Sequence, residues 1–273
     1  MTDRFGRDIN YLRISVTDRC NLRCAYCMPP EGIPLRTHNE MLTYNEIAAF
    51  ATFAVSKGIH KIRITGGEPL VRKGIEKLIA MLAAIDGVHD LCLTTNGQLL
   101  EEKAAQLKSA GLHRINISLD TLDPEQYRII TRGGALSPVL AGIRAAQRIE
   151  LEPIKINCVI GLDTTPPHHE YQEAQKEEMR RFAQKEGLQL RFIHQMSLEQ
   201  GTFSIVEGGS GGDCTHCNRL RLTADGKLKP CLFSDLEYDI RTMGYPEAWE
   251  AAIGNKPLKG VRNRSGSFYA IGG

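Results

Sequence analysis

Six short segments rich in β-branched residues recur along the chain, at 12–17 (LRISVT), 61–65 (KIRIT), 90–95 (DLCLTT), 114–119 (RINISL), 154–160 (IKINCVI) and 188–193 (LQLRFI). Between them run stretches with apolar residues at i, i+3 and i+4. After Thr43, YNEIAAFATFAVSKG carries this period and stops at Gly58; GIEKLIAMLAAIDG stops at Gly87 and EEKAAQLKSAG at Gly111. SPVLAGIRAAQRIE starts at a Ser-Pro cap, and YQEAQKEEMRRFAQKEG is a charged amphipathic helix. Strands alternating with helices predict βαβ units and a parallel sheet. Six repeats suit an incomplete α/β barrel or an open doubly wound sheet, and both bind ligands at the C-terminal strand ends. After FIHQM the pattern breaks. Residues 198–213 are glycine-rich and nonperiodic, like a linker, and 214–273 carries weak signals, so the chain divides into 1–197 and 198–273.

Polar or glycine-rich patches follow the first four strands: CNLRCAYC, TGGEP, TNG and SLD. Each alone reads as an ordinary turn; in this order on one rim they describe a ligand site. Composition narrows the class. Lys plus Arg is 34 against 32 acidic residues, which gives no case for bulk binding to nucleic acid or anionic membranes. No apolar run reaches the roughly 18 residues that span a bilayer, and MTDRFGRDIN lacks the apolar core of a signal peptide. A cytoplasmic protein is expected. Six of the eight cysteines fall into two tight clusters, which in a reducing compartment points to metal or redox chemistry. Cys92 and Cys158 lie inside apolar runs and read as buried small hydrophobes.

Cys20, Cys24 and Cys27 have the spacing C-x3-C-x2-C, and no fourth Cys or His adjoins them. Zinc sites close with four protein ligands and cubane clusters prefer four thiolates, so three suggests a cubane with one iron left open. Together with GGEP after the next strand, this loop resembles the radical S-adenosylmethionine superfamily. The resemblance implies that S-adenosylmethionine chelates the open iron and is cleaved on reduction to a 5′-deoxyadenosyl radical. It places Gly66, Gly67, Glu68 and Pro69 near the cofactor's methionine amino group. Thr95, Ser118 and Met196 line the cofactor site, with Tyr26 near the adenine.

Cys214, Cys217 and Cys231 form a second triplet, C-x2-C-x13-C, with His216 as either a fourth zinc ligand or a solvent-facing loop residue. The segment CNRLRLTADGKLKPCLFSD, with LRISVTDRCNLRCAYCMP and KIRITGGEPLVRKGIEKLI, closely resembles the GTP 3′,8-cyclase family of molybdenum-cofactor biosynthesis. That resemblance implies an incomplete (β/α)6 TIM-type barrel with a C-terminal iron–sulfur cluster extension. It implies two [4Fe–4S] clusters, the second touching the purine of GTP. The other partners it implies are a low-potential electron donor and a downstream cyclic pyranopterin monophosphate synthase, and it leaves open a homodimer. Arg219 and Arg221 alternate along NRLRL, so an extended backbone points both to one face. With Arg13, Lys61, Arg63, Lys155 and Arg191 on strands, they match the basic positions of the family's GTP site. The terminal Gly272 and Gly273 match a family Gly-Gly that assists catalysis.

The chain departs from the family in three places. The segment before the second triplet is much shorter, FIEFM reads FIHQM with His194 at an acidic position, and GLDTTPPHHEYQEAQ replaces a short loop. Two rivals therefore stand beside the cyclase: a radical enzyme of the same branch acting on a peptide or another nucleotide, and a noncatalytic iron–sulfur protein that binds nucleotide.

Overall fold

A computed structural model of the chain describes residues 1–162, 169–264 and 268–271. Six parallel strands come first: β1 (Tyr11–Ser15), β2 (Lys61–Thr65), β3 (Asp90–Thr95), β4 (Arg114–Ser118), β5 (Ile154–Ile160) and β6 (Gln189–His194). They lie side by side in chain order. The connecting helices are α1 (Tyr44–Ser56), α2 (Ile75–Ala83), α3 (Leu100–Ser109), α4 (Pro124–Thr131), α5 (Leu136–Arg148) and α6 (His169–Lys185). This is the partial barrel, one of the two architectures that the β/α alternation allows and the one that the family resemblance implies. On β5 the fully buried positions Ile154, Ile156, Cys158 and Ile160 alternate with the half-buried Lys155, Asn157 and Val159, so one face meets the helices and the other the barrel interior.

Local chemistry sets the element ends. Thr43 caps α1 in a capping box with Glu46, each side chain reaching the other's backbone N–H. Gly58, at φ +101°, follows the helix and turns the chain in a conformation that L side chains rarely adopt. The expected Ser-Pro start of α5 is wrong by a turn position. The helix begins at Leu136 after Ala135, with no side-chain cap, and Ser137 and Pro138 lie in its first turn, where proline's missing N–H costs nothing. Helix α4, capped by Asp123 and opened by Pro124, was not anticipated.

Beyond residue 198 the chain is more ordered than its composition suggests. Strand β7 (Arg219–Leu222) pairs in parallel with β1, matching Tyr11 with Arg219 and Arg13 with Arg221. Strands β8 (Lys227–Lys229) and β9 (Tyr238–Asp239) continue the same sheet antiparallel. The glycine-rich stretch reaches the opposite edge of the sheet, where Phe192 and Glu207 exchange backbone hydrogen bonds of 3.2 and 3.1 Å. Segment 198–213 thus joins the free edge of β6 to the strand on β1, across the barrel's open side. Phe203 in this segment stacks on Phe233, ring centroids 4.4 Å apart. Helix α7 (Tyr245–Gly254) packs Tyr245 and Trp249 edge-on against Phe50 and Phe53 of α1, at 5.3 and 5.9 Å. The short α8 (Phe268–Ile271) buries Ile271 in a small core with Leu198, Leu232 and Phe233.

Candidate active site

Two adjoining pockets fill the barrel mouth and share Asn157, Ile193 and Met196 in their walls. The first gathers the four rim patches: Cys20, Cys24 and Cys27, then Gly66 to Glu68, then Thr94 to Asn96, then Ser118, with Tyr26, His194 and Met196. The cysteine loop is tightly turned, with the Cys27 and Met28 amides donating to the Cys24 carbonyl at 2.9 and 3.0 Å. Arg132 clamps its far end through the Met28 carbonyl at 2.7 Å. The two glycines permit close backbone contact with Thr17 to Arg19, the residues that lead into this loop. A Cβ on Gly66 would stand 2.7 Å from the Thr17 carbonyl, and one on Gly67 would run into that of Arg19.

Glu68 braces the rim. Its Oε1 accepts from the Leu70 amide at 2.9 Å and the Thr95 hydroxyl at 2.8 Å, and its Oε2 accepts from the Asn96 amide at 2.7 Å. Burial nonetheless pushes its carboxyl up to about 7 against these bonds. Asp120, the last residue of the SLD patch, in which only Ser118 was given a role, accepts from the Tyr26 hydroxyl at 3.0 Å and the Val159 amide at 2.8 Å, and burial raises it to about 6. Pro69, in contrast, is buried at the start of a 3-10 turn and does not line the pocket.

The second pocket is basic. It is lined by Arg13, Lys61, Arg63, Arg191, Arg219 and Arg221, together with Cys214, Cys217 and Cys231. Segment 198–213 supplies a wall through Gly209 to Asp213. Arg221 is drawn down to about 10 by burial and then by Arg219; burial and the neighbouring Arg63 and Arg114 likewise lower Arg191. Crowded buried cations that depress one another are relieved by an anion. Lys61 is already engaged, 3.0 Å from Asp90, which also takes two 2.7 Å bonds from Arg114. Lys155 shares the inward face of β5 but lies outside the pocket wall, drawn down to about 8 by burial and then Arg191. Asp90 and Arg114 gave no motif; only strand register reveals that they meet.

The two triplets differ in electrostatics. Burial raises the first-set thiols, Cys24 well above the ordinary range and Cys27 to about 12. In the second set burial raises Cys231 as well, but at Cys217 Lys256 and Arg219 prevail over burial and draw the thiol down to about 7. His216 takes the solvent-facing alternative: its side chain is 82% exposed and its Nδ1 lies 2.7 Å from Asp213. Cys92 and Cys158 are fully buried, as their apolar surroundings suggest. Gly272 and Gly273 lie outside the described residues.

Among the described residues no group of three or more His, Cys, Asp or Glu side chains is disposed to hold one metal ion. Ligands of a single ion must crowd around one point, whereas thiolates on separate corners of a cubane stand further apart. The three cysteines of each pocket are the thiolate donors that an iron–sulfur cluster takes, and Met196 is a further sulfur in both walls. No helix of the described residues is long and apolar enough to cross a membrane.

Comparison with known proteins agrees with this chemistry. Residues 14–173 match the Radical SAM superfamily and residues 147–265 match Molybdenum Cofactor Synthesis C. The chain is 43% identical to a GTP 3′,8-cyclase of Heliobacterium modesticaldum, over 89% of this chain and 86% of that protein. It is 44% identical to one of Moorella thermoacetica, over 93% of this chain and 91% of that protein. Those alignments run to 282 and 301 positions, more than the 273 residues of this chain, so both open gaps in it. Among solved structures, native anSMEcpe with bound AdoMet superposes with TM-score 0.62 at 16% identity, over 92% of this chain and 82% of that one. SuiB of Streptococcus suis bound to S-adenosylmethionine gives 0.61 at 13% identity, over 93% of this chain and 65% of that one. These two likenesses speak for the fold. The chain therefore belongs to the GTP 3′,8-cyclase family of the radical SAM superfamily.

Proposed function

We propose that this protein is a GTP 3′,8-cyclase, converting GTP to 3′,8-cyclo-7,8-dihydro-GTP in molybdenum-cofactor biosynthesis. The observation that carries the reading is the pairing of two cysteine triplets in adjoining pockets, with a wall of buried and half-buried cations beside the second. Cys20, Cys24 and Cys27 would hold one [4Fe–4S] cluster, and Cys214, Cys217 and Cys231 a second within a C-terminal extension, residues 198–273. When bound, the first cluster with S-adenosylmethionine would supply the radical chemistry that acts at the 3′ position of the substrate's ribose.

The chain's own residues bind, orient and exclude water. Gly66 and Gly67 let the rim close on the residues that lead into the cysteine loop, and the three donors on Glu68 hold it there. The Asp120 carboxylate fixes the Tyr26 ring in the cofactor pocket. Arg13, Arg63, Arg191, Arg219 and Arg221 offer a planar, permanently charged cradle for a triphosphate. Met196 and Asn157 stand where the two pockets meet. Ile271 is buried in a small core that Cys231 packs against, and Gly272 and Gly273 would assist catalysis as the family resemblance implies. A low-potential electron donor and a downstream cyclic pyranopterin monophosphate synthase complete the reading.

The test is anaerobic reconstitution followed by GTP titration and turnover. About eight irons per chain, GTP binding and GTP-dependent product formation are expected. 5′-Deoxyadenosine formed without any consumption of GTP would refute the substrate.

A further inference from the structure

Lys256 follows α7 and is 1% exposed. Its ammonium has three donors and three acceptors: the Pro230 carbonyl at 2.6 Å, the Arg219 carbonyl at 2.7 Å and the Cys217 sulfur at 3.6 Å. These acceptors lie at both ends of the thirteen-residue excursion that separates Cys217 from Cys231. One side chain therefore ties the two arms of the second triplet together. Its backbone is held in turn, because α7 is stacked on α1 through Tyr245 and Trp249.

Arg7 approaches the same region differently. It donates to the carbonyls of Cys214, Pro257 and Leu258 at 2.8, 2.8 and 3.0 Å, and its charge is balanced by Asp3 at 2.6 Å. Among the described residues Lys256 has no such carboxylate; sulfur and carbonyl oxygens are its partners. Burying an ammonium without an anion is strongly unfavourable. Cluster-ligating cysteines are thiolates, so the charge that is missing from the protein's carboxylates is the charge a cluster brings.

We infer that Lys256 is the positioning residue of the second triplet: it sets the spacing of Cys217 and Cys231 and supplies the buried positive charge that holds an iron–sulfur cluster there. The inference rests on the two-cluster reading above. A hydrogen bond and a positive charge at a ligand sulfur favour retention of the cluster and its reduced state.

The experiment compares the reconstituted wild-type chain with Lys256→Met and Lys256→Arg. Iron loss to a chelator is followed by EPR, with S-adenosylmethionine added to mark the first cluster, and both midpoint potentials are measured. In Lys256→Met the second cluster should be lost about 10–100-fold faster and shift to a more negative potential, the first remaining unchanged. Lys256→Arg, which keeps the charge, should fall between. Equal loss rates and potentials in wild type and Lys256→Met overturn the inference. So does loss of both clusters alike, since Lys256 would then support the whole fold. A wild-type chain holding about four irons overturns the two-cluster reading, and this inference with it.

Discussion

The two cysteine triplets are alike in composition and opposite in surroundings. The first lies on one contiguous loop of eight residues, set by local turns and backed by the buried carboxyls Glu68 and Asp120. The second is assembled from distant parts: Cys214 and Cys217 precede β7, Cys231 follows β8, and Arg7 and Lys256 bind them from the two ends of the chain. On the proposed reading, carboxyl neighbours would suit a centre that must give up an electron, while cationic neighbours would suit one that shares its pocket with a polyanion. The same donor set would then have two tasks, set by what stands behind it.

The comparison breaks most sharply at the ligands themselves. Cys24→Ala should abolish cleavage of S-adenosylmethionine, whereas Cys217→Ala should leave uncoupled cleavage without cyclised product, both read as 5′-deoxyadenosine by chromatography. The opposite pattern would exchange the roles of the two sites. Next comes the basic wall. Arg221→Met should weaken GTP binding about tenfold to a hundredfold in a titration, the range of one lost charged hydrogen bond, with S-adenosylmethionine binding unchanged.

Asp90 probes the floor of that wall. Arg114 and Lys61 overcome burial and hold its carboxyl down at about 2. A depressed carboxylate stabilises the fold above its ordinary value of 3.8 and loses that contribution as pH falls toward 2. Asp90→Asn should therefore lower apo-protein stability near neutral pH by about 1–3 kcal/mol, and this deficit should shrink through that acid window in denaturant titrations. The smallest effect is expected at His216. Removing it as His216→Ala should leave iron content unchanged and stability within about 0.5 kcal/mol, because the side chain faces solvent.

The barrel and the first site were largely legible because their signals are local. Period-two and period-3.6 patterns placed the six strands and most helices, and Cys20, Gly66, Thr95 and Ser118 each announced themselves at or just beyond the C-terminal end of a strand. The basic residues of β1, β2 and β7 could be suspected because an isolated arginine in an apolar strand calls for an anion. What stayed hidden depends on long-range register. Nothing near Asp90 points to Arg114, and nothing near Lys256 points to Cys217, 39 positions away. Segment 198–213 misled for a related reason. Its glycines read as a linker, yet Glu207 finds a backbone partner in Phe192 and the segment supplies a wall of the second pocket.

The central claim is that the radical formed at the first site acts on a guanine nucleotide held at the second. It is tested most directly by turnover with GTP deuterated at the ribose 3′ carbon. The account predicts deuterium in the 5′-deoxyadenosine released and a cyclised nucleotide product in step with it. 5′-Deoxyadenosine free of deuterium, formed while the labelled GTP is recovered unchanged, would contradict it.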